Sequence, residues 1–451
     1  MLQASKVLQF SPNYLSSRNI LTMASAASTD VQVSVTPSSC LHDEPVQIRV
    51  EGLSPNQDVT LNMSMKDTRN VHYISTAHYR ADSNGQVDVE SMESLGGSYT
   101  GHFPMGLIGT LHPAPSEYKF TRFFKRDVLN PNILELSVFD RHLTEEEVCA
   151  PESEKALAST KHERHYMGPG VQRIPVRYGK VRGTLFLPAG EGPFPGVVDM
   201  FGTAGGLLEY RSAQLASRGI AALSLAFFAY DDLPKTLEEF NISYFEEAVE
   251  FLLKHEKIMK PHVGAVGVSK GGDLVLSLAT YIPEVKAGVW INGCNANVQS
   301  ALNLRDSVLP GLEFDFGKIE IVNGAMDCFE IVHNPADYPE TIIPIEKADA
   351  DFLFLVGNSD RNWKSVMYCE QAIERLKKAG RNNYEVHSYE LTGHLIEPPY
   401  SPFCLSSYHK LISGPILWGG VPKPHVRAQE EAWETMLDFL FKNLTNMKGK
   451  L

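Results

Sequence analysis

Nowhere in the 451 residues is there an apolar run long enough to cross a membrane. The longest, IAALSLAFFAY at 220–230, is about half the ~20 residues that a spanning helix needs, and reads as a buried strand. Cysteine is scarce as well. Six are scattered at positions 40, 149, 294, 328, 369 and 404. None has CxxC or Cys/His spacing, which argues against both a disulfide framework and a metal site and favours reduced thiols in an intracellular compartment. Positive charge is in deficit: 41 Lys and Arg face 54 Asp and Glu, for a net charge of −13. With no general basic surface to neutralise phosphates, no nucleic-acid partner is expected. A local cationic patch for a small anionic molecule stays open. Residues 1–29 contain no acid, only Lys6 and Arg18 as cations, and six serines. That composition resembles a mitochondrial leader and favours the mitochondrial matrix. The C-terminal Gly-Lys-Leu, one residue from a peroxisomal Ser-Lys-Leu, makes the peroxisome an alternative, and the cytosol is another.

What is present falls into two halves with different periods. From about 30 to 165, segments such as EPVQIRVEG, QDVTLNMSM and ILELSVFD alternate or are rich in β-branched and aromatic residues, separated by turns such as Asp-Ser-Asn-Gly. An antiparallel, Ig-like β-sandwich is expected there. EKALASTKHERHYMGPGVQR reads as a hinge. From 166 to 451 strands alternate with helices: RGTLFLP, PGVVDMFG, IAALSLAFF, AGVWING, DFLFLVG and YEVHSYEL are strands without polar alternation. Such strands belong to a mostly parallel sheet covered on both faces, in the order of an α/β-hydrolase domain. Within it, SYFEEAVEFLLKHEKI predicts a helix opened by a Ser243/Glu246 capping box, with Phe245, Ala248, Val249 and Leu252 on its buried stripe.

The chemistry-bearing stretch is GAVGVSKGGD at 264–273. Here Gly-x-Ser-x-Gly sits where a strand ends and a helix begins, the context in which a sharp turn lifts Ser269 as a nucleophile. The backbone N–H of Lys270 then serves an oxyanion hole. Its second donor is expected from GTAGG after PGVVDMFG, at Thr203 or, next, Ala204. The fold demands the order Ser, acid, His. His394 in LTGH follows a strand end, whereas His387 is mid-strand and His409 and His425 lie in an irregular stretch. Asp360 in GNSDRNW follows a strand end, with Asp327 in GAMDCFE as rival; Asp349 and Asp351 lie at the wrong end of their strand. Lys270, Arg361 and Lys364 are the nearby cations.

RGTLFLP, GPFPG, DMFGTAGGLLEYR, YDDLPKT, GVSKGGD, FLFLVG followed by NWKS, TGHLIEPPY and GPILWGG closely resemble the type I acyl-coenzyme A thioesterases, from about residue 31 onward. These share a family with bile acid-CoA:amino acid N-acyltransferase. The resemblance implies a β-sandwich followed by an α/β-hydrolase domain and a triad at Ser269, Asp360 and His394, which disfavours Asp327. It implies an acyl-CoA substrate of medium or long chain, no further cofactor, and basic residues somewhere for the CoA phosphates. The transferase branch carries cysteine at the nucleophile. Serine makes an oxoester, less prone to aminolysis than a thioester, so water is the expected acceptor and glycine or taurine the alternative one. A catalytically silent lipid- or CoA-binding protein is the alternative of another class. Nothing in the sequence sets the oligomeric state, and a monomer is compatible with it. SPFCLSSYHKLISGPILWGG at 401–420 either lines an acyl pocket or packs on the core.

Overall fold

The computed structural model describes residues 30–150, 155–238 and 240–445. The leader-like segment 1–29 and the terminal Gly-Lys-Leu lie outside the described residues. In Gln47–Glu51 the alternation predicted from the sequence is literal, with Ile48 and Val50 buried between exposed neighbours. This strand pairs antiparallel with Gln32–Thr36 and Val87–Asp88 in a small sheet. A second sheet runs Ser39–Leu41, Ala158–His165, Asn132–Asp140, Asp58–Lys66, His72–Arg80 and Gly96–Gly97. Ile48 and Val50 of the first share one core with Leu61, Met63, Leu136 and Val138 of the second.

Two expectations need correction here. The second sheet is not wholly antiparallel, because Ser39–Leu41 pairs parallel with Ala158–His165. And Ala158–His165, read as hinge, is a strand paired antiparallel with Asn132–Asp140. Its buried positions are His162 and Arg164, so no apolar alternation marks it.

Sheet membership changes between 165 and 172. The second half is built on an eight-stranded sheet of β1 (Gln172–Tyr178), β2 (Val181–Leu187), β3 (Gly196–Met200), β4 (Ala221–Ala226), β5 (Val263–Val268), β6 (Val285–Ile291), β7 (Asp351–Gly357) and β8 (Tyr384–Tyr389). The order across it is β1-β2-β4-β3-β5-β6-β7-β8. β2 is antiparallel to β1 and β4, and every later pair is parallel. This is an α/β-hydrolase sheet. Pro175 lies in the edge strand β1, where a missing N–H is tolerated.

The helices are α1 (Tyr210–Ser217), α2 (Ile242–Lys254), α3 (Lys270–Tyr281), α4 (Ser365–Lys378) and α5 (Pro422–Thr445). Alternate residues of β5 join different cores: Val263 and Ala265 pack with Phe245 and Leu274 of α2 and α3, Val266 and Val268 with Leu215 and Met436 of α1 and α5. Helix α2 buries Phe245, Ala248, Val249 and Leu252 as its sequence predicts. Its cap, however, is Asn241, whose side chain accepts from Ser243 N at 2.9 Å, so Ser243 lies inside the helix rather than opening it. The stretch thought irregular before the last helix holds a hairpin, Ser406–His409 with Gly414–Leu417, and α5 already includes His425.

The halves are joined by buried contacts. Tyr400 and Val426 complete the N-terminal core. Asp43 accepts from Arg218 Nε at 2.8 Å and from Trp433 Nε1 at 2.9 Å, bringing residues 390 apart in sequence together. Among the described residues no helix is long and apolar enough to cross a membrane.

Candidate active site

β5 delivers the chain to Ser269 at φ 58°, ψ −126°, a left-handed conformation that non-glycine residues avoid and that costs on the order of 1–3 kcal/mol. The turn closes only because its neighbours are small. A Cβ on Gly267 would lie 2.1 Å from Gly271 O, and one on Gly271 would lie 2.7 Å from Met200 O. The turn is held by Ser269 N donating to Ile291 O at 2.9 Å and by Gly272 N donating to Ser269 O at 2.8 Å. α3 starts at Lys270, so the helix N-terminus, with its unpaired N–H groups, begins beside the hydroxyl.

Asp360 and His394 follow the ends of β7 and β8. His394 Nδ1 lies 2.7 Å from Asp360 Oδ2, and both side chains are almost fully buried. The carboxylate is oriented from three further directions. Oδ1 accepts from Asn362 N at 2.8 Å and Trp363 N at 3.0 Å, and Oδ2 accepts from the Ser365 hydroxyl at 2.6 Å. With Asp360 as acceptor, Nδ1 carries the imidazole proton and Nε2 is left basic. Nε2 in turn faces the Asn362 carboxamide nitrogen at 3.2 Å. The ring is stacked on Trp418, with centroids 5.6 Å apart and planes 14° from parallel. Asn292, fully buried after β6, ties the strand ends together. It donates to His394 O at 2.9 Å and accepts from Gly357 N at 2.8 Å.

Ser269 and His394 line the same cavity of about 800 Å³. Among the described residues no hydrogen bond joins the Ser269 hydroxyl to His394. Contacts of this kind are commonly long in a free enzyme and tighten in the substrate complex. Thr203 and Ala204 line the cavity too. The loop carrying them lies against the serine, since a Cβ on Gly202 would sit 3.0 Å from Ser269 Oγ. Thr203 Oγ1 is 3.3 Å from Nε2 of His409, whose pKa falls to about 4 through burial first and then through Arg122 and His394.

The remaining candidates separate. Asp327 is paired with Arg361, its Oδ2 accepting from Nε at 2.9 Å, and has no contact with His394. Lys364 pairs with Glu330 at 2.7 Å. The Lys270 ammonium is fully buried, bound to Asp273 Oδ2 and Asn297 Oδ1 at 2.8 Å each and to Val298 O at 2.7 Å. None of the three cations lines the cavity. Sequence reasoning missed Asn362 and Asn292; NWKS beside Asp360 carried a signal for the first, and nothing local marks the second. Of the 401–420 stretch, Ser407, Tyr408, His409, Lys410 and Trp418 line the cavity.

Profiles described as "Acyl-CoA thioester hydrolase/BAAT N-terminal region" and "BAAT / Acyl-CoA thioester hydrolase C terminal" match residues 43–178 and 240–446. The chain is 45% identical over 415 residues to acyl-coenzyme A thioesterase 1 of Homo sapiens, covering 91% of this chain and 96% of that relative. It is equally identical over 415 residues to the human mitochondrial acyl-coenzyme A thioesterase 2, covering 91% and 84%. Against acyl-coenzyme A thioesterase 5 of Mus musculus it is 44% identical over 421 residues, covering 93% and 97%.

Proposed function

The chain belongs to the BAAT / acyl-CoA thioester hydrolase family, and on that premise we propose that it hydrolyses medium- and long-chain acyl-CoA to fatty acid and CoA. Ser269 is the nucleophile. His394 Nε2 takes its proton as the hydroxyl attacks the thioester carbonyl, then returns it to the leaving CoA thiolate. A water then attacks the acyl-serine carbonyl while giving a proton to the same nitrogen, which passes it to Ser269 Oγ as the acid leaves. Asp360 keeps the imidazole in the useful tautomer and stabilises the imidazolium. The N–H groups of Lys270 and Thr203 receive the oxyanion, each worth about 2.7–4 kcal/mol of transition-state stabilisation.

The observation that carries this reading is the 2.7 Å contact with Asp360 behind His394, which itself lines one cavity with the strained Ser269. It is tested by free-thiol release from acyl-CoAs of increasing length, with Ser269→Ala as control. Thiol release undiminished in the variant would refute it. Supplying glycine or taurine and identifying the products distinguishes hydrolysis from acyl transfer. Ser269→Cys should move the product ratio toward the N-acyl amino acid, because its acyl-enzyme remains a thioester.

Two further points belong to the same proposal. The N-terminal half is an Ig-like sandwich, a reading supported by the core its two sheets share. The compartment is the mitochondrial matrix, a reading supported by the acid-free residues 1–29 and tested by imaging with each terminus masked in turn.

A further inference from the structure

The cavity wall is graded by exposure. Ser269, His394 and Trp418 are 7%, 1% and 5% exposed and form its floor. Tyr118 and Tyr408, at 57% and 52%, belong to its mouth, as do the exposed Arg126 and Lys410. The charge on this wall is opposite to that of the chain. Glu397 is its single acid, against Arg69, Arg122, Arg126, Arg211 and Lys410, in a protein of net charge −13.

Three of these cations are already spent. Arg69 Nε donates to Asp67 at 2.8 Å, Arg211 Nε to Asp199 at 2.7 Å, and Arg122 pairs with Glu397 at 2.6 Å. Arg126 and Lys410 have no ion pair among the described residues. Two unpaired cations on one mouth of an acidic protein invite a polyanion. Elsewhere the protein's net charge repels such a ligand, so a local positive field both steers it and holds it. Arg126 offers a planar fork suited to phosphate, Lys410 a point charge. The two exposed tyrosines on the same cavity wall offer ring faces to an adenine. Phe201, Leu207, Leu208 and Ile396 supply an apolar wall for the other end of a substrate.

We propose that Arg126 and Lys410 form the subsite for the phosphate groups of the CoA half of the substrate, with Tyr118 and Tyr408 flanking its adenine. The inference rests on the acyl-CoA reading above. It also gives the N-terminal half a place in substrate binding, since Arg126 and Tyr118 precede the hydrolase sheet while Lys410 and Tyr408 lie beyond it.

The test compares kcat/KM for an acyl-CoA with kcat/KM for the N-acetylcysteamine thioester of the same acyl chain, which lacks every phosphate. In Arg126→Gln/Lys410→Gln that preference ratio should fall at least about tenfold, and the acyl-CoA value should lose most of its salt dependence. A ratio within about twofold of wild type overturns the subsite. A second measurement needs no variant: CoA should inhibit the wild-type enzyme more strongly than pantetheine, by a margin that shrinks as salt rises. Equal inhibition at all salt concentrations overturns the subsite. Wild-type protein that releases thiol from neither thioester overturns the acyl-CoA reading itself, whereas turnover of both with an unchanged ratio overturns the subsite alone.

Discussion

The imidazole of His394 is held at Nδ1 by Asp360 at 2.7 Å, and the same carboxylate oxygen accepts the Ser365 hydroxyl at 2.6 Å. The acid is therefore fixed before it fixes the base. Asp360→Asn preserves the shape but presents an N–H where an acceptor is needed, which turns the ring to the wrong tautomer. Thiol release should show kcat lower by about 10⁴-fold with KM little changed.

Asn362 places its amide nitrogen 3.2 Å from His394 Nε2. Asn362→Asp puts a carboxylate where the serine hydroxyl must hand over its proton, so it competes for the Nε2 position. In thiol release kcat should fall by about tenfold or more. Asn362→Ala removes the contact without adding a charge and should lower kcat less.

The turn at Ser269 tolerates no bulk behind it. In Gly271→Ala the new Cβ meets the backbone oxygens of Met200 and Phe201 at 2.7 and 2.8 Å, and neither can move aside cheaply. Overpacking of this kind costs about 1–3 kcal/mol in denaturant melts. Displacing the hydroxyl by about 1 Å should lower kcat by roughly 100-fold.

His425 accepts from Gly393 N at Nδ1, 3.1 Å away, and donates from Nε2 to Leu395 O at 2.8 Å, bracketing His394 from both sides. Burial lowers its pKa from 6.5 to about 4. The folded state thus binds the proton more weakly than the unfolded chain. The stabilisation is complete above pH 6.5 and is lost as pH falls through 4. His162 and His409, also lowered to about 4, act in the same sense. Urea midpoints should fall between pH 6.5 and pH 4.5, and fall less in His425→Gln.

The parts legible in the sequence were those written locally. Glycine flanks, a strand ending and a helix beginning pointed to Ser269, and strand ends pointed to Asp360 and His394, because a parallel sheet puts such ends on one edge. Ala158–His165 escaped because its buried side chains are an arginine and a histidine, invisible to apolar periodicity. Lys270 misled for the opposite reason: it is adjacent in sequence to Ser269, but its helix turns the side chain into the fold toward Asp273. Trp418 and Lys410 were legible only as members of the 401–420 stretch, and Arg126 reaches the cavity through long-range packing, which no local pattern encodes.

The pairing of Asp43 with Trp433, across 390 residues, bears on how the chain is made. At a translation speed of about 5–20 residues per second, Asp43 leaves the ribosome roughly 20–80 s before its indole partner exists. Tyr400 and Val426 are equally late, so during that wait the nascent first half carries an unfilled apolar face. The first half can therefore complete its core only once the last helix has been made.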